Sequence, residues 1–167
     1  TGSIVECKLT RGTWKTQGIY EPDDVPPSNL VIPATENGEI NVSIIDWLDQ
    51  QQVVSDPVIG TLIDFADLKS TALRYDRKIQ VWLPPTYSEC GPAHAVLYMH
   101  DGQNLFEPAS AFAGIDWKVD ETIAELIHSG QMKNCIVVGI ENSPDRMQEL
   151  NLFTDPGTAY ADYVVNT

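Results

Sequence analysis

The order of four short apolar runs and one amphipathic segment constrains this chain more than any other feature. "TLIDF" (61–65), "RKIQVWLP" (77–84), "HAVLYMH" (94–100) and "NCIVVGIEN" (134–142) are rich in β-branched and aromatic residues and bounded by turn formers. Each therefore predicts a strand. Several run continuously apolar instead of alternating, the pattern of strands buried on both faces of a parallel sheet covered by helices. Between the last two, Val119, Ile123, Leu126 and Ile127 recur at helical spacing and predict a helix with one apolar face. Asp116 stands where an N-cap belongs, and Gly130 is placed to end the helix in the left-handed conformation. A second helix is predicted from about Thr158, with Ala159, Tyr163 and Val164 inward. Strand, helix, strand, helix is the rhythm of a doubly wound α/β sheet. Such a sheet normally continues through as many strands again, so the architecture is expected to go on past Thr167.

The residues before this region have another texture. Val5, Cys7 and Leu9 alternate with Glu6 and Lys8, and Ile40, Val42 and Ile44 alternate with Asn41 and Ser43. Period-two alternation predicts half-buried antiparallel strands. The intervening "YEPDDVPPSNLVIP" (20–33) is rich in Pro and Asp and predicts a loop. Two or three strands bury too little surface to stand alone. Residues 1–48 are thus expected to be part of an antiparallel β-sandwich and residues 49–59, opening with "DQQQVVSDP", a linker or connecting strand. Residues 60–167 are the α/β region.

Charge excludes one class of partner. Ten basic residues against twenty-four acidic give a net charge of −14, which repels a phosphate backbone, so no nucleic-acid partner is expected. No apolar run approaches the ~20 residues that span a bilayer. The opening "TGSIVECKLTRG" lacks the charged start and apolar middle of a signal peptide, and the chain is expected to begin after processing or inside a longer polypeptide. Cys7, Cys90 and Cys135 are far apart and lack metal-site spacing; they read as small core hydrophobes. "NVS" (41–43) fits the N-glycosylation acceptor pattern at Asn41.

Chemistry concentrates in "HDGQN" (100–104), just beyond the predicted strand 95–99. Ligands of open α/β sheets bind outside the carboxyl ends of the strands. Gly102 there frees the backbone so that N–H groups face a cavity, which an oxyanion hole requires. Asp-Gly is equally an ordinary turn dipeptide, and the residues alone leave both readings open. His100 shows no partner in the sequence and reads as a structural residue as readily as a base. Asp101, Glu107 and Asp116 lie close in sequence, but paired-carboxylate chemistry requires a convergence that spacing does not establish. Turn and cap duties are assigned to them.

Four stretches carry a resemblance: "RKIQVWLPPTY" (77–87), "VLYMHDGQNLFEP" (96–108), "DWKVDETIAELI" (116–127) and "IVVGIENSPDRMQEL" (136–150). Over about residues 60–167 the chain resembles the putative-esterase family of α/β-hydrolases, the group that includes enterochelin-esterase-like enzymes. The resemblance implies a partial α/β-hydrolase sheet and ester hydrolysis by acyl transfer, with no cofactor and no metal. It implies that the backbone N–H of Gly102 or Gln103 supplies one oxyanion donor, and that Gln103, Asn104 and Arg146 lie on the substrate side. "CKLTRGTW" (7–14) and "INVSIIDWLD" (40–49) are similar to the closing strands of a carbohydrate-binding-like β-sandwich that often precedes such esterases. Trp14 and Trp47 are then candidates to stack on sugar, since an indole offers a flat apolar face; packing is the competing role for each.

One element of that family is missing from the sequence. Its nucleophile sits in a G-x-S-x-G elbow, with the acid and His of the triad following in chain order. No such pentapeptide occurs among the 167 residues. Ser143 is followed by Pro144, and Ser110 lies in a small-residue loop. The chain alone is expected to be inactive, with the triad encoded downstream. The alternative is a non-catalytic binding or structural subunit that completes its sheet with a partner chain or with copies of itself through open strand edges. The substrate implied is an ester, with siderophore esters, acylated sugars and feruloyl-type esters fitting alike. The location implied by the resemblance is the periplasm or the cell exterior.

Overall fold

Only part of the period-two alternation becomes sheet. The computed structural model describes residues 3–22, 24–34, 39–51, 56–112 and 114–166. Asp23 of the predicted loop and residues 52–55 of the predicted linker lie outside them. The early strands are β1 (Ser3–Cys7), β2 (Gly18–Ile19), β3 (Leu30–Ala34) and β4 (Asp46–Trp47). β1 pairs antiparallel with β3, setting Val5 opposite Ile32 and Cys7 opposite Leu30, and β2 pairs antiparallel with β4. Two expectations fail here. The predicted loop 20–33 ends in a strand, because Leu30, Val31 and Ile32 form an apolar run that finds β1. Its Pro33 is accommodated because a two-stranded ladder leaves edges where no N–H is needed. Residues 40–45 form no strand. Val42 and Ile44 are half-buried between exposed neighbours, and Ile45 N–H bonds to the Ile19 carbonyl at 2.9 Å without a ladder forming.

The chain divides into two units, one of residues 1–55 with 108–116, the other of residues 56–107 with 117–167. The second unit holds a four-stranded sheet of β5 (Thr61–Leu68), β6 (Arg77–Leu83), β7 (Ala95–His100) and β8 (Cys135–Ile140). Their spatial order is β5-β6-β8-β7. β5 and β8 each run antiparallel to β6, while β7 and β8 are parallel, with Ala95 opposite Cys135 and His100 opposite Ile140. Between β7 and β8 the chain crosses over through α1 (Val119–His128), and α2 (Arg146–Glu149) and α3 (Asp155–Asn166) follow β8. This is a mixed sheet with helices, compatible with an α/β class. Among the described residues no helix is long and apolar enough to cross a membrane.

The core gathers where the sheet meets α1. Trp82, Leu105, Phe106, Val119, Ile123, Cys135 and Val137 pack as one buried cluster. β8, with a neighbour on each side, is buried as a continuous apolar run should be. β7 is not: Val96, Leu97 and Tyr98 are 46%, 39% and 56% exposed. The strand lies last in the sheet, and its position, unlike its composition, leaves it open. Cys90, expected in the core, is exposed in a turn, whereas Cys135 is buried.

The ends of the helices follow local hydrogen bonding. Asp116 is not the N-cap of α1; Lys118 holds that position at φ 53°. The N–H groups on either side of Lys118 are taken by main-chain carbonyls, Trp117 N–H to Asn104 (2.7 Å) and Val119 N–H to Leu105 (3.1 Å). The C-terminus matches expectation: Gly130 has φ 73°, with Gly130 N–H bonded to Ile127 and Gln131 N–H to Leu126, a Schellman pattern. α3 begins three residues before the predicted start, because the Thr154 hydroxyl accepts the Gly157 N–H at 3.1 Å and caps it.

One buried carboxyl ties the approach to β5 onto α1. Asp120 is fully buried; its Oδ2 accepts the Ile59 N–H at 2.7 Å, and the Trp82 indole donates to the Ile59 carbonyl at 2.6 Å. Burial pushes the Asp120 pKa up to about 6, opposed by the Ile59 N–H and reinforced by Glu121. A folded pKa above the unfolded one makes ionisation costly in the native state. The associated stability is therefore present below pH ~4 and is lost as pH rises through about 6, on the order of 3 kcal/mol. Asp120→Asn keeps the acceptor and removes the ionisation. Denaturant melts at pH 4 and pH 7 are expected to show a smaller decline for this variant than for the parent chain; an equal decline would refute the assignment.

Candidate active site

The carboxyl ends of two adjacent parallel strands carry the polar residues singled out in the sequence. After β7 the chain makes one 3-10 turn, Gly102–Asn104, and after β8 it runs through Asn142 and Ser143 into α2. Gly102 does not supply the unusual backbone conformation expected of it. Asp101 does, at φ 57° and ψ 42°, a left-handed geometry that costs a non-glycine residue about 1 kcal/mol or more. Gly102 is required for another reason. A Cβ placed on it would stand 2.7 Å from the carbonyl carbon of Gly139 and 2.8 Å from backbone atoms of Ile140. The turn therefore lies directly on the main chain of β8.

That contact brings the two loops within hydrogen-bonding reach. Arg146 grips the Asp101 carboxylate with two prongs, Nε to Oδ1 at 2.7 Å and Nη2 to Oδ2 at 2.6 Å. Asn142 Nδ2 donates to Oδ1 at 2.9 Å, and Gln103 Oε1 accepts the Asn142 N–H at 3.2 Å. Parallel N–H···O bonds of this charge-assisted kind are about twice as strong as neutral ones. The Arg146 guanidinium, with help from Asn142, holds the Asp101 pKa below the usual carboxylate range, and Asp101 raises that of Arg146 in return. Asn104 contributes its main chain, donating to the Asp101 carbonyl at 2.9 Å and accepting from Trp117.

A second network lies beneath. Arg77 and Glu149 form an ion pair with side chains 1% and 6% exposed. The Ser143 hydroxyl donates to Glu149 Oε2 at 2.7 Å and accepts the Asp145 N–H at 3.0 Å, so Ser143 is occupied in holding α2. His100, without a partner in the sequence, meets the Tyr160 hydroxyl at 3.0 Å through Nδ1. The Arg77 guanidinium faces the same tyrosine ring at 5.7 Å. Burial lifts the Tyr160 pKa to about 12, which keeps the phenol neutral. A concavity of about 330 Å³ opens beside this pair, lined by His100, Leu150, Leu152, Tyr160, Val164 and Val165 among others.

Of the residues singled out from sequence, Gly102, Gln103, Asn104 and Arg146 come together around these strand ends. Trp14 belongs to the other unit, on the turn Trp14–Thr16, and is 56% exposed. Trp47 has one face covered by the Arg11 guanidinium at 4.7 Å, which in turn pairs with Asp49 at 2.6 Å. Asn142, Glu149, Arg77 and Tyr160 were not foreseen. The contacts of Asn142 with Asp101, Tyr160 with His100 and Glu149 with Arg77 span 41, 60 and 72 residues, and nothing local signals such pairs.

A mixed sheet whose polar turn sits at the carboxyl ends of its parallel strands is the setting in which α/β proteins build ligand and catalytic sites. Residues 70–161 match the family model described as "Putative esterase". This is more than half of the chain, and the protein belongs to that family, which points to a hydrolase. No curated protein and no solved structure matches it.

Two substitutions test the geometry. Gly102→Ala forces a methyl group into the β8 backbone and is expected to destabilise by about 1–3 kcal/mol; unchanged melting would mean the turn does not rest on β8. Glu149→Gln leaves the Arg77 charge buried without its counter-ion, with an expected loss of about 3–5 kcal/mol, read from the same denaturant midpoint.

Proposed function

We propose that residues 60–167 are the N-terminal half of an α/β-hydrolase domain, of the enterochelin-esterase-like kind, from a serine esterase. Residues 1–48 are then the end of a carbohydrate-binding-like β-sandwich, with 49–59 linking the two. The observation that carries this reading is the clamped turn Asp101–Asn104 at the carboxyl end of β7. That turn, Gly102–Asn104, sets the main chain of Gly102 and Gln103 just beyond the strand end. Either is suited to donate to the oxygen of a substrate carbonyl as it gains charge.

In the reaction, a serine on a G-x-S-x-G elbow encoded beyond this sequence attacks the ester carbonyl while a histidine takes its proton. The tetrahedral oxyanion forms against the Gly102–Gln103 amides and collapses with loss of the alcohol. Water, activated by the same histidine, then releases the acid from the acyl-enzyme. Removing one oxyanion donor of this kind typically costs about 10²–10³ in kcat. The substrate is an ester, carbohydrate- or siderophore-linked, and the enzyme works in the periplasm or outside the cell. Asn104 and, in the sandwich, Trp14 are candidate substrate contacts.

The exposure of Val96, Leu97 and Tyr98 on β7 supports a second reading. In it the chain is a non-catalytic subunit that completes its sheet by pairing this edge with another chain or with a copy of itself. Hydrolysis of a p-nitrophenyl ester separates the two. The complete gene product is expected to turn the ester over, and the 167-residue chain alone is expected to leave it at the buffer rate. Turnover by this chain alone would overturn the proposal. Absence of turnover by the complete product, together with a native mass that ends at Thr167, would favour the subunit.

A further inference from the structure

We infer that Arg146 is a positioning residue: by gripping Asp101 it holds that residue in the left-handed conformation and so aims the Gly102–Gln103 main chain. The inference deepens the esterase reading and rests on it for its catalytic consequence, though not for its structural one.

Three observations carry it. First, Asp101 adopts φ 57° where glycine would sit without strain, and a strained residue persists only when its surroundings over-determine it. Second, among the described residues the carboxylate is held from the segment after β8: two bonds from Arg146, which opens α2, at 2.7 and 2.6 Å, and one from Asn142 at 2.9 Å. Third, the same segment reaches past Asp101 to Gln103, whose Oε1 accepts the Asn142 N–H. Both sides of the turn are thus fixed to one partner segment. The Asp101 side chain is 10% exposed against 41% for Arg146, so the carboxylate is enclosed and the guanidinium reaches in from the solvent side. Nε and Nη2, one of the two edges with which an arginine forks onto a carboxylate, are already engaged by Asp101. The pair stays ionised through the neutral range, because each partner stabilises the charge of the other.

The role makes a specific rescue possible. If Arg146 serves only to hold Asp101 left-handed, glycine at 101 makes the clamp unnecessary, since glycine takes positive φ freely. The test uses Arg146→Met, Asp101→Gly and the double variant. In the 167-residue chain, amide exchange is followed at Asn104 and Leu105, whose N–H groups bond to the carbonyls of Asp101 and Gly102. Arg146→Met is expected to speed both roughly tenfold while the amides of β8 stay protected, and the double variant is expected to return them to within about threefold of the parent. In the complete gene product, Arg146→Met is expected to lower kcat by about 10² with KM nearly unchanged, and the double variant to recover most of it.

Unchanged exchange in Arg146→Met, or a double variant as fast as the single one, would overturn the inference. So would a rise in KM alone, which marks a substrate contact. If the complete product hydrolyses no ester, the esterase reading fails, and the exchange measurements still decide whether Arg146 clamps the turn.

Discussion

The second unit is organised by a contact between two main chains. Gly102 rests on Gly139 and Ile140 so closely that neither glycine has room for a side chain; a Cβ on Gly139 would meet Leu105 Cδ1 at 2.8 Å and Gly102 Cα at 3.3 Å. Close packing in protein interiors leaves no slack for an added methyl group at such a point. The turn after β7 is thereby laid against the end of β8, and the residues just past β8 fall within hydrogen-bonding distance of it. Asp101, Asn142 and Arg146 meet because two backbones do. Leu105 and Phe106, immediately after the turn, drop into the core beside Val137, so the site and the hydrophobic centre are anchored at the same place.

Polar networks then join elements that the sheet does not. Arg77 opens β6, Glu149 ends α2, Ser143 lies between β8 and α2, and Tyr160 sits within α3. The buried ion pair, its serine and the ring over it connect these pieces around one charge. Buried ion pairs contribute little net stability compared with apolar packing, because desolvation offsets attraction. What this one does is restrict arrangement. α2 has four residues, too few to stand as a helix by themselves, and it is held by Glu149 from within the fold.

Much of the second unit was legible from local pattern. The helix at Val119–His128 follows from the spacing of Val119, Ile123 and Ile127, and its end from a glycine after the last apolar turn. β8 follows from its apolar run. The exposure of β7 was not legible, because "AVLYM" is as apolar as "CIVVGI" and only the order of strands tells an edge from a centre. In the first unit, alternation at 40–45 suggested a strand where no ladder forms, since a pattern does not supply a partner. "LVIPA" was obscured by the proline-rich residues before it. At the candidate site the sequence marked the turn and Arg146, yet it did not show that Asp101 carries the left-handed backbone or that Arg146 faces it. Those facts depend on a pairing across 45 residues, and such pairings are set by tertiary packing.

The Trp82 indole, fully buried and bonded to the Ile59 carbonyl, also gives the chain an internal optical probe. Of the four tryptophans, Trp14 and Trp117 are already more than half exposed, so their emission changes little when the fold opens. Trp82 passes from an apolar cage to water. A red shift in fluorescence on melting therefore reports on the joint between β6, α1 and the segment leading into β5, together with a contribution from Trp47, which is half-buried in the other unit.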